Sequence, residues 1–295
     1  MNAHLQKKPR SSRRTQRNVL LFSAIFALSA VSSGVVFAQI RYATGQDVVP
    51  VFEGWERNAD GSFTMVFGYM NRNYEEEVDV PVGPNNAFEP NGVDQGQPAH
   101  FYPRRQQYVF SVRVPKDWGK KDLVWTLTSH GKTEKAYGTL MPTWEIDVGT
   151  YQQNRGGPGA LGEEDDPPSL KVEGAPQRSV AVGASLTFDA FVTDDGRPTA
   201  RPSQSGSNAR VEGPLTQAMV RLDRGVRLGV VWVVYRGDAR AVTFEPRKVP
   251  VTDGKASTTV RFSAPGTYVL RAYADDGILV AAKDVTVTVS PAAVR

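Results

Sequence analysis

The sequence predicts an all-β protein, two antiparallel β-sandwich domains joined by a flexible Gly/Pro/acidic linker, after an N-terminal signal helix. Three observations predict it. Bulky apolar residues alternate with polar ones at a period of two in segment after segment, as in strands with one face on a core. Turn signals such as Asn58-Ala59-Asp60-Gly61 and His130-Gly131 separate those segments at strand-length intervals. Beyond the N-terminus no stretch sustains the 3.6-residue apolar period of a helix. A chain of 295 residues is long enough for about two domains.

Residues 1–38 read as a signal peptide. Lys7, Lys8, Arg10, Arg13, Arg14 and Arg17 form a basic start, and Val19–Ala38 is an uncharged apolar run ending Val36-Phe37-Ala38. Cleavage is expected after Ala38, where the residues a peptidase reads are small. An uncleaved anchor is the alternative, since a run of this length just spans a bilayer. Ser12-Arg13-Arg14 begins a twin-arginine pattern that Gln16 and Arg17 break. The net charge of +4 is owed to this segment, because the other 29 basic residues face 31 acidic ones, a net of −2. The basic balance therefore gives no support for nucleic-acid binding. The expected location is the periplasm or cell surface, with membrane contact only through the signal or anchor segment. There is no cysteine, which excludes disulfides, thiolate metal sites, a cysteine nucleophile and lipidation at cysteine.

The first domain is expected over 48–148. Phe63, Met65, Phe67 and Tyr69 share one strand face. Tyr108, Phe110, Val112 and Val114 share a second, and Leu123, Trp125 and Leu127 a third. Pro115–Lys121 and His130–Lys132 read as hairpin connections, with 132–140 as a returning strand. Of 28 aromatic residues, 16 lie between Phe52 and Tyr151. Most fall on strand faces, and six do not: Trp55, Tyr74, Phe88, Phe101, Tyr102 and Trp118 stand in or beside loops. Loop aromatics either plug the open ends of a sandwich or form a platform for a glycan or peptide. The segment 83–97, rich in Asn, Gly and Pro, is long for a connection without a role. With Asn71-Arg72-Asn73, His100 and Arg104-Arg105 it makes a candidate polar recognition surface. The candidate binding residues are thus Trp55, Arg72, Tyr74, Phe101, Tyr102, Arg104, Arg105 and Trp118.

The acidic run Glu75–Asp79 invites a catalytic or metal reading. Along a strand, Glu75, Glu77 and Asp79 share one face at steps of about 6.6 Å, too spread to converge on one ion. Carboxylates about 5–9 Å apart serve glycosidases, but an exposed strand with alternate acids looks the same, and such a face also discourages edge pairing.

The linker is expected over 149–168, a polar aperiodic stretch. Its Glu163-Glu164-Asp165-Asp166 gives Asp165 and Asp166 as calcium candidates against the plainer reading of a solvated charge run. No other cofactor is expected.

The second domain is expected over 169–291. Leu170–Gly174, Val180–Ala190 and Val192–Gly196 open it; Ala264–Ala272, Asp275-Asp276-Gly277 and Asp284–Val289 close it. Tyr268, Leu270 and Ala272 alternate with Val269 and Arg271, and Trp232 suits the centre between two sheets. Asp194-Asp195-Gly196 and Asp275-Asp276-Gly277 read as turns. The Pro-Gly-Thr-Tyr-Val-Leu and Asp-Asp-Gly pieces resemble a bacterial immunoglobulin-type sandwich of the polycystic-kidney-disease (PKD) or cadherin-like class. That resemblance implies a two-sheet sandwich, from which the 196–227 insertion departs as a disordered or partner-binding loop. In the first domain, Phe67–Asn73, Pro103-Arg104-Arg105, Val114–Asp117 and Val124–Thr128 resemble a family of uncharacterised exported bacterial proteins, which implies export and no chemistry.

Two histidines follow residue 38, His100 and His130, with no metal-ligand spacing between them. There is no nucleophile elbow, P-loop or dinucleotide fingerprint. The expected function is a non-catalytic binding or scaffolding role in the envelope, with an unidentified envelope protein or polysaccharide as partner. The alternative is a carbohydrate-binding or glycan-active module, with Glu75, Glu77 and Asp79 as its acids.

Overall fold

The computed structural model describes residues 42–156, 164–197, 222 and 226–292. The expected signal peptide, Glu163 and most of the 196–227 insertion lie outside the described residues.

The first sandwich begins with β1 (Val48–Arg57), β2 (Phe63–Asn71) and β6 (Arg104–Val114), which form one antiparallel sheet in the order β1-β2-β6. The facing sheet is β4 (Asn86–Glu89), β7 (Leu123–Ser129) and β8 (Lys132–Gly138), in that order. A two-stranded ribbon, β3 (Val78–Asp79) with β5 (His100–Phe101), closes one end. The alternation read from sequence fixes the faces. Met65, Phe67, Phe110, Val112, Trp125 and Leu127 are all buried between the sheets. Phe67 stacks on Phe110 at 5.6 Å, and Phe88 stacks on Trp125 at 5.7 Å. Bury four such rings and each adds both area and offset-stacking energy, on the order of 0.5–1.5 kcal/mol per pair beyond burial. His130 and Gly131 both have positive φ, as a tight hairpin between right-twisted strands requires.

Two local results differ from the alternation. Only Val78 and Asp79 of the acidic run form a strand, because the chain has Pro81 and Pro84 close behind. In β6 the pairing register shifts opposite Phe67–Tyr69, with Tyr108 at φ 53°. The bulge presents the Val109 carbonyl to Tyr273 of the second sandwich, while the Val109 and Phe110 side chains both belong to the first core cluster.

The second sandwich has one sheet of β13 (Val242–Glu245), β15 (Lys255–Phe262), β11 (Ser185–Thr193) and β9 (Ser169–Val172). Its other sheet runs β10 (Gln177–Ala181), β17 (Val280–Ser290), β16 (Gly266–Asp275), β12 (Gly229–Arg236), β14 (Lys248–Pro250). β10 pairs parallel with β17 while its neighbour β9 joins the opposite sheet, so the first strand switches sheets. This is an immunoglobulin-like arrangement. Trp232 is fully buried and meets Phe188 at 5.1 Å, as expected for the central residue. Asp275 and Asp276 accept from the backbone N–H groups of Gly277, Ile278 and Leu279, and Asp194 from Gly196, which makes both Asp-Asp-Gly stretches turns.

Both sandwiches lie within one compact unit, Tyr42–Arg295. The start of the expected linker is ordered. Asp147 caps a helical turn, α1 (Val148–Tyr151), by accepting from Thr150 N–H, and a π-turn follows over Gln152–Gly156. The Tyr151 hydroxyl donates to Glu56 on β1 at 2.7 Å, and Arg155 pairs with Asp275 of the second sandwich at 3.1 Å. These anchors replace the expected flexibility over 149–156.

Candidate functional site

The structure puts most of the sequence-predicted binding residues inside. Trp55, Phe101, Tyr102 and Trp118 are buried, so they cannot serve as an open aromatic platform. Trp55 donates its indole N–H to Met141 O, and Trp118 donates to Lys121 O, which lets each ring plug its loop with no unpaired polar atom. Arg104 is buried as well; it donates to Arg72 O and lies over the Tyr74 ring at 4.0 Å. Arg105 pairs with Glu53 at 2.7 Å, and the half-exposed Arg72 pairs with Asp47 at 3.0 Å. Asn71 and Asn73 are buried and brace the turn: Asn71 donates to Glu76 O and Phe101 O, and Asn73 donates to Gln46 O. Arg104 and Tyr74 come together; Trp55 and Trp118 join neither them nor each other.

The candidate recognition surface around 83–97 is engaged by the chain itself. The Tyr102 hydroxyl accepts from Val234 N–H at 2.9 Å and from Arg247 at 2.8 Å, and donates to Val234 O at 3.3 Å. Tyr235 donates to Gly96 O, and Ala99 N–H donates to Tyr235 O. Arg236 forms a two-pronged pair with Asp94 at 2.8 and 2.9 Å and also donates to Gln97 O. Arg271 and Tyr273 both donate to Val109 O. Between these polar ties sits an apolar seam of Tyr102, Val231, Val233 and Tyr273. Strand β12 is thus buried on both faces: Val230, Trp232 and Val234 point into their own sandwich, and Val231, Val233 and Tyr235 face the other. The Arg271 guanidinium lies 3.5 Å from the Tyr235 ring centroid. Burial pushes the Tyr235 hydroxyl far above its ordinary range, so it remains a donor.

A cleft of about 550 Å³ opens on the first sandwich between the stretch Glu76–Asn85 and Thr128–His130. Val78 and Val80 are buried beneath it, while Glu77, Asp79, Pro81 and Pro84 are exposed along its rim. Glu76 accepts from Gly45 N–H and stands 3.1 Å from His130. Glu77 and Asp79 face outward, as alternation predicted, yet both are engaged by His100, a contact the sequence reading missed. His100 is 3% exposed, with Nδ1 2.7 Å from Asp79 and Nε2 3.0 Å from Glu77. Only a charged imidazolium can donate at both nitrogens. Burial works to lower the His100 pKa, and the hydrogen bonds and charges of Asp79 and Glu77 outweigh it, so the net shift is upward.

Asp165 is buried and Asp166 exposed, with the Asp166 N–H 3.4 Å from Asp195. Among the described residues no group of three or more His, Cys, Asp or Glu side chains is arranged to hold a metal ion. Burial, with the charges of Asp165 and Asp275 adding to it, raises the Asp276 carboxyl to about 7, against backbone hydrogen bonds that lower it.

Together the fold and seam define a protein of two β-sandwiches, the second immunoglobulin-like, joined through a buried contact. No protein-family model and no curated protein matches the chain. Among solved structures, it resembles a titin M10–obscurin-like 1 Ig complex at 15% identity and TM-score 0.25, over 44% of this chain and 100% of that one. S-layer protein SbsC domains 4 and 5 are similar at 13% identity and TM-score 0.25, over 58% of this chain and 65% of that one. The eight N-terminal Ig domains of Down syndrome cell adhesion molecule are similar at 8% identity and TM-score 0.25, over 83% of this chain and 27% of theirs. At these scores the likenesses say nothing about function.

Proposed function

We propose that the protein is an exported, non-catalytic component of the envelope or cell surface. In this reading it is a rigid scaffold that binds a protein partner at the cleft bounded by Glu76–Asn85 and Thr128–His130. The seam carries the reading. Two sandwiches on a bare tether would reorient freely, whereas a contact built on buried tyrosines and valines fixes one relative orientation. A rigid body of that kind presents loops and edges at set positions, which suits adhesion, spacing or assembly. The apolar run Val19–Ala38 supports export. Against the alternative, a carbohydrate-binding or glycan-active module, stand the burial of Trp55, Phe88, Phe101, Tyr102 and Trp118 and the ties of Glu77 and Asp79 to His100.

The test places a photoreactive residue at Pro84, on the cleft rim, or at Lys171, on the exposed face of β9, in cells expressing the full chain. A discrete crosslinked protein from Pro84 in the envelope fraction, absent from Lys171, supports the reading. Recovery in the cytosol, or equal crosslinking from both positions, overturns it.

A further inference from the structure

We infer that His100, in its charged form, latches the two sandwiches together, so that their seam loosens as the imidazole loses its proton. The placement of His100 carries this, beginning with its ribbon. β3 and β5 are two residues each, and Asp79 is the direct cross-strand partner of His100. One more bond, Val80 N–H to Ala99 O at 2.8 Å, extends the pairing. Isolated pairings this short are at best marginal in water. Side chains therefore supply much of what holds the ribbon: Asn71 donates across it to Glu76 O and Phe101 O, Asn86 to Val80 O and Pro98 O, and the His100 clamp adds hydrogen bonds to charged partners, which are about twice as strong as neutral ones.

The same ribbon feeds the seam from both sides of His100. The preceding residue, Ala99, donates its N–H to Tyr235 O across the seam at 3.0 Å. Two residues on, the Tyr102 hydroxyl accepts from Val234 N–H and Arg247 and donates to Val234 O. The His100 ring meets the Tyr102 ring edge-on, with centroids 4.5 Å apart. The charged and titratable groups around the imidazole are thus Glu77 and Asp79 from β3, Tyr102 from its own strand's extension, and Arg247 of the second sandwich, behind Tyr102. A neutral ring would have to turn one bare nitrogen lone pair toward a carboxylate in a nearly dry position. That contact is repulsive, and the ribbon relieves it by parting.

The sign follows from the direction of the shift. The folded His100 holds its proton above its ordinary range. Its contribution is therefore complete below about pH 6.5 and is lost as pH rises through the folded value. The seam is tightest below about pH 6.5 and loosens as pH rises through the folded His100 value.

Hydrogen exchange on the whole protein, resolved to single amides between pH 6 and 9 and corrected for intrinsic base catalysis, tests this. The reporters are Val80 N–H, which reads the ribbon, and Ala99 N–H, which reads the seam. Leu270 N–H, in the core of the second sandwich, is the reference. The expected result is a loss of about tenfold in protection at Val80 and Ala99 relative to Leu270, for each pH unit by which the folded His100 value exceeds the ordinary one. Replacing both carboxylates, Glu77→Gln with Asp79→Asn, should abolish the pH dependence. Both side chains sit at the surface, so that variant should fold. Protection at Val80 and Ala99 that tracks Leu270 across the range overturns the latch, as does an undiminished loss in the double variant. If that variant does not fold, the wild-type His100 ring decides by NMR titration: deprotonation at or below pH 6.5 overturns the inference.

Discussion

Replacing Tyr102 by Phe removes one oxygen from the seam and leaves the ring. In the wild type that hydroxyl serves three groups, Val234 N–H, Val234 O and Arg247. Val234 has no strand to turn to on that side, because β14 pairs only with Gly229–Val231 of β12. The hydroxyl stands where a longer edge strand would have placed its backbone. With Tyr102 only 4% exposed, water does not substitute freely. An orphaned buried N–H costs about 1–3 kcal/mol, and a bond from a charged donor is worth about 1.5–3 kcal/mol. Arg247 keeps its bond to Trp232 O at 3.0 Å, so the second figure counts only in part. We expect a loss of about 2–3 kcal/mol. With a urea m-value of about 2–3 kcal/mol/M, the unfolding midpoint falls by about 1 M. A double-mutant cycle with Arg247→Leu should show coupling of about 1 kcal/mol, since the two side chains touch. A midpoint shift below about 0.2 M, or additive single mutants, would refute the claim that this hydroxyl ties the sandwiches.

Val233→Asp puts a carboxylate among Tyr102, Val231 and Tyr273, at a cost of about 4 kcal/mol or more. The expected readout is a larger radius of gyration in solution scattering with the β-sheet circular dichroism retained, and an unchanged radius would count against the seam. Asp276→Asn tests a buried acid raised to about 7. Because the folded value lies above the unfolded one, its contribution is whole below about pH 3.8 and is lost as pH rises toward 7. The amide should flatten the thermal-stability profile between pH 4 and 8 and raise the melting temperature at pH 8; a profile parallel to wild type would contradict this. Gly68→Ala places a Cβ against the Glu53 carboxylate, the Gln106 carbonyl and the Arg105 guanidinium, so a loss of about 1–3 kcal/mol is expected on chemical denaturation. No loss would mean the β2–β6 bulge absorbs the extra carbon.

The strands were legible because their signal is local. Phe63–Tyr69, Leu123–Leu127 and Val285–Val289 each state their faces by alternation alone, and the structure buries the faces they name, with Phe63 half-buried at the end of its strand. The seam was legible too, through a different pattern: Gly229–Tyr235 reads Gly-Val-Val-Trp-Val-Val-Tyr without alternation, which marks a strand covered on both faces. His100 carried no such mark. Its partners stand 21 and 23 residues away, and pattern cannot show which exposed-face acids a distant loop will bring a histidine to meet. The loop aromatics misled for a related reason, since a ring that plugs a sandwich end and a ring that binds a sugar occupy the same kind of sequence.

The seam also limits where a partner can bind. The sheet β10-β17-β16-β12-β14 would ordinarily offer an outer face, but Val231, Val233, Tyr235, Arg271 and Tyr273 of that face are spent on the first sandwich. What remains outward on β17 is mostly polar, Asp284, Thr286, Thr288 and Ser290, with Ala282 beside them. The peripheral Arg236–Asp94 pair is half-open to water and contributes little to cohesion; the buried tyrosines and valines hold the contact, and the ion pair fixes its register. The opposite sheet of the second sandwich shows one large exposed apolar residue, Phe191, on its outer face. On the proposed reading the partner site is the cleft at Glu76–Asn85 of the first sandwich, which combines concavity, an acidic rim and the ribbon that carries His100. If that is the binding surface, occupancy and the latch share Glu77 and Asp79. A cationic partner group reaching those carboxylates would then compete with His100 for them.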